Sequence, residues 1–490
     1  MNRLLHRGCE LALHTFDRRW QKLRTPDDEL ARQREHQPEG TVSVLVPVWN
    51  TRPEWLAALA DSLHRQTLAG WECILYDGGS DRPATLRALE GLPGFDERLR
   101  VVHAAKNLGI AGNTNAALEL ARGGWIAFCD HDDVLEPDAL WRMVTALNES
   151  GADTAYSDED RITANGRTHY APHFKPDWCP ENLLACNYVC HLTVMKRELA
   201  VRLGGLREGL DGSQDHDLLL RCAASGVSVT HVPRILYHWR SNSGSMSHIQ
   251  RDRCLETGCR AVEEHLRSVG VQARVAQDAG RLRVIRPWPQ EAQVLVLFRA
   301  MPPDWLAALL MNERPGSVRW DMVPPQGPDE LIRDADEELI LLWDTALMPT
   351  DGLMTELAAQ AFRPDVGCAF PQVLDRRGRI ISSGYAISQD GTIQARGRGL
   401  KPDDCDPLLL EHSVHQVSCG DMGCVMFRRQ LWQDGADSDG IGWMLRLAEQ
   451  GLRHVVSPYA AALCEHRPMP APVRPGLRDG CIIGRMPDER

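Results

Sequence analysis

The 490-residue sequence has no uninterrupted run of about 18 apolar residues, the length a helix needs to cross a bilayer, so no membrane span is expected. It lacks a basic excess. Lys and Arg number 55 against 67 Asp and Glu, a net charge of −12, which argues against a general nucleic-acid binder. No CxxC pair or metal-type cysteine spacing occurs. The 15 cysteines, an odd number, fall singly in apolar runs and read as reduced thiols of a cytosolic protein. GxGxxG and GxxxxGK[ST] are both missing, so neither a dinucleotide fingerprint nor a P-loop is supported. What remains is ordinary globular composition, 43% apolar and 25% charged, which excludes a disordered, collagenous or coiled-coil chain. At about 150 residues per domain the length allows three units or two larger ones.

Residues 1–39 read as an amphipathic leader helix, with Leu4, Leu5, Leu11, Leu13, Phe16 and Trp20 among basic positions. Charges interrupt its apolar stretch, so it is not a secretory signal. The first 24 residues carry six Lys/Arg and two Asp/Glu. Such a helix suits peripheral contact with an anionic inner-membrane surface. The plainer alternative is a helix docked on the protein itself.

From Val42 the chain alternates apolar strands with helices. Val42–Val48 runs into Trp49-Asn50, a helix follows from Pro53 to about Gln66, and Glu72–Tyr76 runs into Asp77-Gly78-Gly79-Ser80. Further on come strand Leu99–His103, a helix over about 112–122, and strand Trp125–Cys129, which ends in Asp130-His131-Asp132-Asp133. This spacing predicts βαβ units and a mostly parallel α/β sheet. Ligands of such sheets bind beyond the carboxyl ends of the strands, where Asn50, Asp77 and Asp130–Asp133 stand.

Carboxylates crowded at a strand end repel, and a hard divalent cation, Mg²⁺ or Mn²⁺, together with a substrate phosphate would relieve them. The competing reading is a helix start, with Pro137 in its first turn. Lys106–Asn115 forms a polar loop feeding a helix N-terminus, which suits phosphate or is an ordinary cap. Asp215-His216-Asp217 opens the helix Leu218–Ser225, with Gln214 and Asp215 in its first turn. It offers a general base, or simple charge complementarity at a helix start. His238, just after the strand Val232–Tyr237, offers a metal ligand or a structural histidine.

The chain also repeats. Arg221, Gly226 and Pro233 recur as Arg446, Gly451 and Pro458 at the same spacing, and VMKREL (194–199) recurs as MFRRQL (426–431). The predicted organisation is therefore a leader (1–39), a first α/β unit (40–248), a helical and β-rich connector (249–289), a shorter second copy (290–466) and a loose tail (467–490).

Together these motifs resemble the inverting glycosyltransferases of family 2, with the GT-A fold, over about 41–247. The resemblance rests on Val46-Pro47-Val48-Trp49-Asn50, Tyr76-Asp77-Gly78-Gly79-Ser80, Asn107, Gly109 and Asn113, Asp130-His131-Asp132, and Gly212-Ser213-Gln214-Asp215. Gly78 stands where the family has a second acid. More narrowly, Tyr156–Asp160, His173–Trp178, Asn187-Tyr188 and Tyr237-His238-Trp239-Arg240 resemble tandem-domain, rhamnosyltransferase-like enzymes of bacterial surface-polysaccharide assembly. No QxxRW follows the base, unlike processive synthases.

The resemblance implies a nucleotide-sugar donor held by Pro47, Val48, Asn50, Asp77, Lys106, Asn107, Gly109, Asn113, Asp130 and His131. It implies a metal on Asp130, Asp132 and His238, and Asp215 as the base. Trp178, Asn187, Gln214 and Trp239 are expected on the side of a glycan or lipid-linked acceptor. In the second copy Asp344 is expected opposite Asp132, with Leu342 and Thr345 replacing Asp130 and Asp133, and Gly440 and Gly442 replacing Asp215 and Asp217. Asp437 or Asp439 is the fallback base. A dead second GT-A-like domain follows, available to other polysaccharide-assembly proteins, in a cytoplasmic protein. The rival readings are a sugar-nucleotide-binding scaffold and a sugar nucleotidyltransferase, although Trp49–Pro53 stands where the latter needs a Gly/Lys-rich loop.

Overall fold

The computed structural model describes residues 16, 20, 22–241, 251–278, 280–288, 292–313, 317–387, 391–401, 410–433 and 440–464. The chain divides into two compact units, Met1–Gly270 and Val271–Arg490. The division falls inside the expected connector. Its helix Arg251–Ser268 packs on the helix Gln214–Ala224 of the first unit, while the hairpin Arg274–Asp278/Arg281–Ile285 lies in the second.

In the first unit β1 (Val42–Val48) pairs in parallel with β2 (Trp71–Asp77) and β4 (Trp125–Phe128), and β2 pairs with β3 (Leu99–His103). Beyond β4 the direction reverses. β8 (Thr193–Lys196) is antiparallel to both β4 and β6 (Thr154–Ile162), and β6 is parallel to β9 (Val229–Arg240). A short β5 (Val134–Leu135) closes on β9 and β7 (His169–His173) on β6, giving the order β3-β2-β1-β4-β8-β6-β9-β5. The β-branched run of β1 is buried on both faces, as a central parallel strand requires. One face packs on Leu56, Leu59 and Leu63 of the helix Pro53–His64, the other on Ala111, Ala117 and Leu118 of the helix Gly109–Leu120.

The N-terminal segment is docked where it is described. Trp20 is buried, the Thr25 hydroxyl donates to Asp138 at 2.7 Å, and Glu29, in a helix over Asp27–Glu35, pairs with Arg142 at 2.6 Å. Leu4, Leu5, Leu11 and Leu13 lie outside the described residues, as do Asp437, Asp439 and the expected tail.

In the second unit β10 is Val294–Phe298, β11 Val318–Met322, β12 Leu339–Trp343, β13 Met348–Pro349, β14 Val366–Leu374, β15 Cys424–Arg428 and β16 Arg453–Leu463. They repeat the sheet in the order β11-β10-β12-β15-β14-β16-β13. Strand for strand this matches β2-β1-β4-β8-β6-β9-β5, with β3 uncopied among the described residues. The ladder corrects the expected register. In the first copy the Asp133 amide meets the Asp130 carbonyl and Glu136 meets Leu236. In the second, Leu347 meets Asp344 and Thr350 meets Ala461. Asp344 therefore stands where Asp130 stands, and Asp132 and Asp133 correspond to Ala346 and Leu347. The matching helix ends, where Ser225 and Gln450 return to Arg221 and Arg446, put Gly440 at the place of Asp215.

Candidate active site

The carboxyl ends of β1, β2 and β4 meet at one edge of the first sheet, and the polar residues there are tied to one another. Asn50 takes a left-handed φ of 52°, which asparagine tolerates better than most side chains. Its amide N–H reaches the Ser80 hydroxyl at 2.8 Å and its side chain donates to Asp81 at 2.9 Å. Asp77 is buried and accepts from the Ser80 hydroxyl and amide, with the His103 ring 2.9 Å away. Val48 contributes its carbonyl, which accepts from Gly78 at 2.8 Å, and Pro47 precedes it in the strand.

Asn107, Gly109 and Asn113 close on themselves. The Asn107 side chain accepts from the Gly109 amide and the Asn113 amide group, both at 2.9 Å, and Gly109 supplies a φ of 75°. A Cβ on Gly78 would lie 2.4 Å from the Asn113 side-chain nitrogen, so Asn113 fills the space a second acid would need. Lys106 is exposed beside this loop.

At the end of β4 the three acids differ. Asp133 is fully buried and accepts from the Tyr237 hydroxyl at 2.6 Å and the Arg240 amide at 2.7 Å. Burial, then the neighbouring Asp132 and Asp130, drive its carboxyl well above the usual range. Burial also raises Asp132, with Asp130 adding to the shift and His131 opposing it. Asp130 is the most open of the three and has the His191 ring at 3.6 Å. Hard oxygen donors crowded at one strand end, two of them with pKa values raised first by burial and then by their neighbours, suit a divalent cation, so the residues fit the implied ion.

His238 does not join them. It lies inside β9 rather than after it, and donates to Asp160 at 2.6 Å and Glu136 at 3.1 Å. Burial works against its charge, but Asp160 and Glu136 outweigh that and hold it up to about 10. Both ring nitrogens are committed to that pair, which corrects the expectation of His238 beside Asp132. Asp160, His169 and His238 do cluster with metal-ligand spacing. Trp20 packs on both rings, and a cavity of about 360 Å³ opens beside them.

The acceptor-side residues separate. Asn187 donates to Asp215 at 2.8 Å, whereas Gln214 turns back to accept from the Gly212 amide. Trp178 packs near Tyr156, and Trp239 lies under Arg161. Of the two acids in the first turn of the helix Gln214–Ala224, Asp217 is buried and bound by Arg207 and Arg221. Asp215 accepts from Asn187 and from the His216 amide.

Sequence reading missed the pairing of the acids on β6. Asp158 faces His231, Glu159 faces Lys175 and His173, and Asp160 faces His169 and His238. Burial opposes charge on Glu159, yet Lys175 and His173 hold it down to about 2.

Residues 43–202 match the model of Glycosyl transferase family 2. They form a glycosyltransferase family 2 domain, with the GT-A fold. The uncharacterized protein y4gI of Sinorhizobium fredii is 31% identical over 452 residues, taking in 82% of this chain and 49% of that one. The O-antigen biosynthesis protein RfbC of Myxococcus xanthus is 30% identical over 393 residues, 71% of this chain and 31% of its own. The chain thus spans half or less of the length of these relatives. Among solved structures, residues 1–349 of S. aureus TarS in complex with UDP-GlcNAc align with a TM-score of 0.39 at 19% identity, covering 46% of this chain and 66% of that one. Among the described residues no helix is long and apolar enough to cross a membrane.

Proposed function

We propose that the first unit moves a sugar from a nucleotide-diphosphate donor to a hydroxyl of a glycan or lipid-linked acceptor, with inversion and without processivity, in bacterial surface-polysaccharide synthesis. The observation that carries this reading is the contrast between Asp217, neutralised by two arginines, and Asp215, which meets only amide donors in the contacts described above. A carboxylate not paired with a cation can take the proton of an acceptor hydroxyl. Asn50 and Asp77 would hold the nucleoside side, and the Asn107–Asn113 loop the diphosphate. Asp130 and Asp132 would hold Mg²⁺ or Mn²⁺, which neutralises charge on the leaving diphosphate when bound. A single displacement at the anomeric carbon inverts it, so no nucleophilic carboxylate is needed. The relative named for O-antigen biosynthesis supports the pathway.

The second unit favours a different reading, a non-catalytic scaffold for donor or assembly partners. Ala346, Leu347 and Gly440 stand where Asp132, Asp133 and Asp215 stand, and a Cβ on Gly440 would meet Met422 at 2.3 Å.

The test is Asp215→Asn, assayed for transfer and donor hydrolysis with UDP-, dTDP- and GDP-sugars and Mn²⁺. Donor binding is expected to persist while turnover falls about 10²–10⁴-fold. An active Asp215→Asn protein overturns the assignment.

A further inference from the structure

His191 lies between the two halves of this site. Its ring lies flat on Tyr237, centroids 4.8 Å apart and planes 17° off parallel. Tyr237 in turn donates to Asp133 and accepts the Asp130 amide N–H at 3.1 Å. The backbone of His191 is clamped on both sides: its N–H is 3.3 Å from Glu159, and its carbonyl accepts from the Lys175 ammonium. Lys175 and Glu159 form a buried ion pair at 3.1 Å. A buried pair is weak evidence for stability, and its best-attested use is to fix one conformation.

The conformation fixed here is that of Asn187–His191. At one end the Asn187 amide meets Asp215, and the same side chain accepts the Cys190 N–H at 3.2 Å. At the other end His191 Nε2 stands 3.6 Å from the Asp130 carboxylate. His191 Nδ1 is buried with no hydrogen-bond partner. A proton on Nδ1 would be stranded there, so the neutral ring carries its proton on Nε2, facing Asp130. At 3.6 Å the two groups are beyond hydrogen-bond distance, and functional contacts often tighten only when substrate binds.

We propose that His191 is a positioning residue that orients Asp130 toward the metal-bound diphosphate of the donor, and that Asn187–His191 sets the span between that carboxylate and Asp215. The inference rests on the donor reading above. It is tested by calorimetric titration of the full chain with UDP, GDP and dTDP, with and without Mn²⁺. His191→Phe keeps a flat ring on Tyr237 but has no donor, and His191→Asn is too short to reach Asp130. Both are expected to weaken Mn²⁺-dependent binding about 10–100-fold and to leave metal-free binding unchanged. His191→Gln, which keeps an amide donor, is expected to recover most of the loss. Wild-type Mn²⁺-dependent affinity in either deficient variant, or an equal loss with and without Mn²⁺, overturns the role of His191 alone. A wild-type protein that binds none of the three nucleotides with Mn²⁺ overturns the donor reading first, and this inference with it.

Discussion

The side-chain amide of Asn187 donates to the carboxylate of Asp215 across 2.8 Å, linking a loop before β8 to the first turn of the helix Gln214–Ala224. The acid is thereby aimed without being neutralised. Asn187→Leu removes the donor and keeps the branching at Cγ. A hydrogen bond to a charged group contributes ~1.5–3 kcal/mol, so kcat is expected to fall about 10- to 100-fold if the contact persists in the transition state. Steady-state kinetics should show this with the donor KM unchanged. A raised KM with intact kcat would instead place Asn187 in donor binding.

Gly78 invites the reverse experiment, restoring the acid that the family has at this position. Because a Cβ there lies 2.4 Å from the Asn113 amide nitrogen, Gly78→Asp is expected to displace the Asn107–Asn113 loop. Overpacking of this kind costs ~1–3 kcal/mol, read as a lower melting temperature. Adding Asn113→Ala should return part of the loss. A Gly78→Asp protein as stable as wild type would show that the loop yields freely.

His238 gives a pH signature. In the folded state its pKa is raised to about 10 against an ordinary 6.5, with Asp160 and Glu136 outweighing the opposing effect of burial. Its contribution to stability is therefore complete below about pH 6.5 and declines as pH rises toward 10. Urea midpoints between pH 7 and 10 should fall more steeply for wild type than for His238→Phe. Equal slopes would mean that His238 is neutral in the fold.

Much of this site was legible because buried parallel strands announce themselves. Val42–Val48 and Trp125–Phe128 are apolar runs that stop at polar turns, and those turns converge by topology. Partner choice across the far half of the sheet was not legible. Asp158, Glu159 and Asp160 are consecutive, and nothing local says that they face His231, Lys175 and His238, residues 15 or more positions away. His238 was misplaced for the same reason: its partners come from β6 and from Glu136, just past β5. The repeat is visible in the sequence, but setting Asp344 opposite Asp132 puts its register two residues off at the end of β4. The ladder hydrogen bonds place Asp344 against Asp130 instead.

Gly440 closes its position in the second unit to a side chain on two counts. Its φ of 68° is a left-handed conformation, and Met422 occupies the space a side chain would take. A carboxylate placed at this position meets both obstacles at once, so installing one requires the Met422 side chain to move as well. The packing of this helix start, and not only the residue type, closes the position to an acid.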